Sequence, residues 1–168
     1  MIKRGLQVII PALLLTICLT HPGSAQTLLG ISLKTIDGQY VRLHDLKGEK
    51  LTVLDFWATW CKPCIKSIPE LVKLSKNYDN EQVAFIGIDE DSPRNMAKVR
   101  PFANSLKIDY PVLLDTEQEL YNELQVSVLP TFIILDGDGK VLFTHEGYTK
   151  GDEQIFEEKI EEFLANGQ

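Results

Sequence analysis

The sequence predicts a single α/β domain: a mixed sheet with parallel inner strands, an antiparallel edge and helices on both faces. Three observations carry that expectation. LTVLDFWA at 51–58 and VAFIGID at 83–89 are near-continuous apolar runs, the pattern of strands buried on both faces. Each run is followed by a segment with helical spacing, which makes the pair a βαβ unit. TFIILDGDGKVLFTHEG at 131–147 then reads as a hairpin turning at Asp136 to Gly139, before a closing helix.

The elements follow in order. LLGISLKTIDGQYVRLHDL at 28–46 holds Asp37-Gly38 between short β-forming runs, an N-terminal hairpin. After the first buried strand a helix is expected from Cys61 to Tyr78. Ile65, Ile68, Leu71, Val72 and Leu74 form its core face, Pro63 sits in its first turn and Pro69 kinks it. SPRNMAKVRPFANSLK at 92–107 suggests a helix capped by Ser92, opened by Pro93 and interrupted near Pro101. YPVLLD (110–115) reads as a short strand and TEQELYNELQ (116–125) as a short helix. In GDEQIFEEKIEEFLANG (151–167), Ile155, Phe156, Ile160, Phe163 and Leu164 form an inward stripe and the acids face outward.

The first 25 residues differ in kind. Lys3 and Arg4 precede an uncharged apolar stretch from Leu6 to Leu19, and HPGSAQ supplies the small residues Gly23 and Ala25. This is the layout of a secretory signal peptide cut after Ala25, with residues 26–168 as the exported domain. An uncleaved anchor is the alternative, but the stretch is shorter than the about 20 residues a span needs. A lipid-bearing Cys18 is a second alternative, disfavoured by the bulky Ile17 before it. Loss of Lys3 and Arg4 leaves 15 of the 17 basic side chains against 24 acidic ones. No basic patch stands out, so nucleic acid and anionic membrane surfaces are not expected as partners.

With Cys18 in the leader, Cys61 and Cys64 are the exported thiols. A structural disulfide gains most from closing a long loop, and this pair closes almost none. Redox or metal chemistry is the better reading. A cysteine at a helix start meets the positive end of the helix dipole and free N–H groups, which favour thiolate. Lys62 adds a positive charge. That placement suits thiol–disulfide exchange, with Cys61 attacking and the less exposed Cys64 resolving. Zinc needs about four ligands, and beyond the pair the exported domain's histidines are His44 and His145, both in surface-like segments without a motif. Nothing in the sequence asks for a metal or another cofactor.

DFWATWCKPC at 55–64 resembles the active-site segment of the thioredoxin superfamily. The apparent export signal, the lead-in and the helix–strand unit after Gly87 resemble its TlpA/ResA-like branch of exported thiol–disulfide oxidoreductases. The resemblance runs over residues 28–165. It implies a thioredoxin fold with an inserted helix–strand unit, Cys61 as nucleophile, Cys64 as resolving thiol and a Cys61–Cys64 disulfide. It implies a cis Leu129–Pro130 bond facing the cysteines, with Trp60, Lys62 and Pro63 framing them. Many members carry a glutamate where Ser67 stands here, and asparagine where Asp55 stands. Asp55 instead resembles the buried aspartate of thioredoxins proper, which manages the inner cysteine's proton. Burial should raise its pKa.

Family analogy implies a reductant of protein disulfides, fed by a membrane thiol carrier and acting as a monomer in the periplasm, with apocytochrome c thiols as a plausible target. Lys62-Pro63 resembles the reductase type rather than the His-containing oxidants and isomerases. A thiol peroxidase would need Thr at Ala58, and Thr59 stands one residue too late. Copper-delivery relatives space their cysteines by three residues instead of two.

Overall fold

The computed structural model describes residues 28–78 and 82–166. The expected leader, its cleavage site and Cys18 lie outside the described residues.

Seven strands form one sheet in the order β2-β1-β5-β4-β3-β6-β7. They are β1 Ser32–Thr35, β2 Tyr40–Arg42, β3 Leu51–Trp57, β4 Val83–Asp89, β5 Val112–Leu114, β6 Thr131–Asp136 and β7 Val141–Glu146. The helices are α1 Leu43–Leu46, α2 Lys62–Ser75, α3 Met96–Ser105, α4 Glu119–Glu123 and α5 Asp152–Asn166. β3, β4 and β5 run parallel in the centre, and β1 and β6 join them antiparallel. Parallel strands need crossovers, and α2 and α3 supply them. The helix–strand unit expected after Gly87 is α3–β5, which inserts β5 between β4 and the N-terminal hairpin.

Every residue of β3 is buried, as its unbroken apolar run predicts. Alternation sends Leu54 and Phe56 to one face, where they meet Leu43 of α1 and Leu120 of α4. Val53 packs on the other face with Leu71 of α2 and Phe156 of α5. Trp57 joins Ile68 of α2 and Val99 of α3 on that side. Helices thus cover both faces, with the three longer ones together on one.

Several local expectations change. α3 runs through Pro101 without interruption. Pro101 is exposed, so solvent can satisfy the carbonyl that its missing N–H would have met. α3 begins at Met96 with Asn95 as cap, not at Ser92-Pro93; those two belong to a turn in which the Asn95 amide donates to the Ser92 carbonyl at 2.8 Å. Ile65 and Ile155, expected inside, are exposed at 39% and 40%. The buried stripe of α2 takes in Cys64 and Ser67 instead. Among the described residues, no helix is long and apolar enough to cross a membrane.

Candidate active site

The C-terminal end of β3 delivers the chain into the start of α2, and the cysteine pair sits at that junction. Cys61 is the N-cap: its amide donates to the Ala58 carbonyl at 3.1 Å, and its Sγ accepts from the Cys64 amide at 3.2 Å. Pro63 occupies the first turn, where a missing N–H removes nothing. Cys61 and Cys64 are joined as a disulfide with Cα atoms 5.3 Å apart. Cys61 is 4% exposed and Cys64 fully covered, so Cys61 is the more accessible residue of the pair. Lys62 is exposed beside them, and Trp60 stands 63% exposed at the rim. Trp57 points inward, stacked on Phe102 with ring centres 5.8 Å apart.

The Leu129–Pro130 peptide bond is cis. β6 pairs with β3 so that Thr131 faces Phe56, which brings Pro130 to the same end of the sheet as the cysteines. Leu129 is half-buried against the cluster that contains Cys61 and Cys64. The Thr131 hydroxyl donates to the Val128 carbonyl at 2.7 Å, and the Gly147 amide donates to the Pro130 carbonyl at 2.8 Å. Both bonds hold the proline turn.

Asp55 lies two residues before Trp57 on the same face of β3. It lines a narrow crevice with Ser67, Pro130, Phe132, Tyr148 and Phe156. Both its oxygens are buried without a full hydrogen bond. Desolvation pushes its pKa up to about 7, opposed by the nearby Tyr110 hydroxyl acting as donor. The sequence expectation of a buried, raised carboxylate holds.

Comparison with known proteins now bears on this arrangement. Residues 25–144 match the AhpC/TSA family. The chain belongs to that family. The chain is 38% identical over 117 residues to the thioredoxin-like protein YneN of Bacillus subtilis, covering 69% of this chain and 67% of that one. It is 36% identical over 129 residues to the thiol–disulfide oxidoreductase ResA of Bacillus thuringiensis, covering 77% and 67%. A Chlorobium tepidum structure provisionally assigned as the thiol:disulfide interchange protein DsbE superposes with a TM-score of 0.72 at 27% identity, covering 80% and 92%. This AhpC/TSA member is a thioredoxin-fold thiol–disulfide oxidoreductase of the ResA/DsbE type.

Other residues at this AhpC/TSA site escaped sequence reasoning. Asp89, Glu90, Asp91 and Asp115 are all buried at the C-terminal ends of β4 and β5. Asp91 binds Thr59, and the Glu90 amide donates to the Trp57 carbonyl at 2.8 Å. Asp115 accepts the Glu119 and Tyr121 amides at the start of α4. Burial, then the charge of Asp91, raises Asp89 to about 8; burial, then Asp115, raises Glu90 to about 9. Their one sequence signal is the acidic IDED at a parallel strand's C-terminal end, where sites in such sheets gather. His44 is exposed beside Asp45. His145, expected at the surface, is half-buried, edge-on to Phe156 and 3.0 Å from Asp152. Neither histidine joins the cysteines. Among the described residues, no group of three or more His, Cys, Asp or Glu is placed to hold a metal ion.

Proposed function

We propose that this chain is an exported reductant of protein disulfides. Residues 1–25 are the leader and 26–168 the working domain, a monomer in the periplasm. In its reduced form the Cys61 thiolate attacks one sulfur of a partner disulfide, and the partner's other sulfur leaves as thiolate. Cys64 gives its proton to the Asp55 carboxylate and attacks Cys61 Sγ, releasing the partner's second thiolate. Two electrons pass to the partner and the Cys61–Cys64 disulfide remains. A membrane thiol carrier restores the dithiol, and apocytochrome c is the target class we favour.

The observation that carries this reading is a cysteine pair at a helix N-terminus, Cys61 the more exposed of the two, in a core cluster against which Leu129 of the cis-proline turn packs. Trp60, Ile65 and Val128, each within two residues of Cys61, Cys64 or Pro130, expose apolar surface that suits a protein partner. A peroxidase reading gains nothing from Thr59, whose hydroxyl donates to Asp91 at 2.9 Å.

The test is the reduction potential, measured by equilibration with a thiol redox buffer. We expect a value below about −200 mV, on the thioredoxin side of the scale. A value near about −120 mV, that of a strong periplasmic oxidant, would reverse the assigned direction of electron flow.

A further inference from the structure

Gly87 on β4 lies directly beside Asp55 in the parallel register. Its amide donates to the Pro111 carbonyl at 2.9 Å, and it pairs with Val112 of β5. These bonds bring Tyr110, one residue before Pro111, over the same spot. A Cβ at Gly87 would stand 3.4 Å from Tyr110 Cε2 and 3.0 Å from Trp57 Nε1. Tyr110 packs its ring partly buried between two core clusters and turns its hydroxyl fully inside. That hydroxyl approaches Asp55 short of full hydrogen-bond geometry and makes no other hydrogen bond.

A buried tyrosine hydroxyl usually has a polar partner, and phenylalanine would fill the same apolar site without a polar group to desolvate. The other hydroxyls around Asp55 are engaged elsewhere. On β4, Phe85 and Gly87 carry no charge, and Asp89 lies one pleat further along. Across the crevice the Tyr148 hydroxyl donates to Glu153, and on α2 the Ser67 hydroxyl donates to the Cys64 carbonyl. Asp109, next to Tyr110, pairs outward with Lys76. Cys64 shares a core cluster with Trp57, and Trp57 Nε1 is a neutral indole donor, itself buried without a hydrogen-bond partner.

We propose that Tyr110 is a positioning residue for the proton step: its hydroxyl donates to the Asp55 carboxylate, fixes its orientation and favours its ionised form. This rests on the role given to Asp55 above. The ionised base is then available to Cys64 near neutral pH, although burial alone would leave it more fully protonated there.

The experiment compares wild type, Tyr110→Phe and Asp55→Asn, all purified and reduced. The Asp55 side-chain carboxyl is titrated by carbon-13 NMR, and Cys64-dependent resolution of a Cys61 mixed disulfide is timed by stopped flow between pH 6 and 9. In Tyr110→Phe the Asp55 midpoint should rise by about half a pH unit or more, with resolution about threefold slower at pH 6.5 and equal to wild type at pH 9. An unchanged midpoint overturns the proposal. A raised midpoint with unchanged resolution in both variants leaves the pairing standing and removes Asp55 as base. Should Tyr110→Phe not fold, the wild-type Tyr110 ring carbon bearing the hydroxyl should titrate with the Asp55 midpoint and lose that inflection in Asp55→Asn; a ring signal indifferent to Asp55 overturns the proposal.

Discussion

Asp91 accepts two hydrogen bonds from Thr59, one from its amide at 2.6 Å and one from its hydroxyl at 2.9 Å. The carboxylate is buried, just beyond the end of β4, and Thr59 stands two residues before Cys61. The turn that leads into Cys61 is therefore held by a neighbouring strand's extension as well as by its own Cys61–Ala58 backbone bond.

Removing that carboxylate strands a part-buried amide and hydroxyl. Asp91→Ala should cost about 2–3 kcal/mol in urea denaturation and speed iodoacetamide alkylation of reduced Cys61 as the turn loosens. Thr59→Val, which keeps the amide bond, should lose about half as much. Unchanged stability and alkylation in Asp91→Ala would show that the clamp does not hold the loop.

The two cysteines should fail in different ways. Cys61→Ser removes the thiol of the more exposed cysteine and should abolish dithiothreitol-dependent insulin reduction. Cys64→Ser keeps the attack but not the resolution, so mixed disulfides on Cys61 should accumulate and be visible on non-reducing gels. Retained insulin reduction in Cys61→Ser would exclude the assigned order of attack.

Asp55 gives a stability test with a definite sign. Its folded-state pKa, about 7 against an ordinary 3.8, is raised chiefly by desolvation. The fold therefore favours the protonated form. That contribution is complete below about pH 4 and is lost as pH rises through about 7. Asp55→Asn cannot ionise, so its advantage over wild type should grow from pH 4.5 to pH 8, to on the order of 4 kcal/mol at most. Denaturation curves at the two pH values check this; an advantage independent of pH would mean Asp55 is not titrating in the fold. Asp89 and Glu90 are raised in the same sense, so both proteins should keep losing stability toward pH 9.

How legible the molecule was depended on the range of the forces involved. β3 was readable because a strand covered on both faces must be apolar throughout, and its one polar oddity, Asp55, stood out against that background. The β1–β2 and β6–β7 turns were readable because Gly38 and Gly139 take positive φ there, at 90° and 86°. Helix faces were less so. Ile65 and Ile155 fit an apolar spacing yet lie outside, since spacing names a stripe but not the edge at which a neighbouring element stops covering it. The proline of α3 misled in the same way: whether a missing N–H breaks a helix depends on what its carbonyl can find instead.

By itself the sequence determined the order of elements, the cysteine pair at a helix start and the buried carboxylate six residues before it, because each is set by residues adjacent along the chain. Resemblance to a family added the cis-proline turn, which local reasoning could not supply. Only the tertiary structure decided what surrounds those parts. Tyr110 reaches Asp55 through β5 pairing with β4, and Asp91 reaches Thr59 across the β3–β4 pair. Strand register joins residues about 30 to 55 positions apart, and no local preference along the chain encodes such a register.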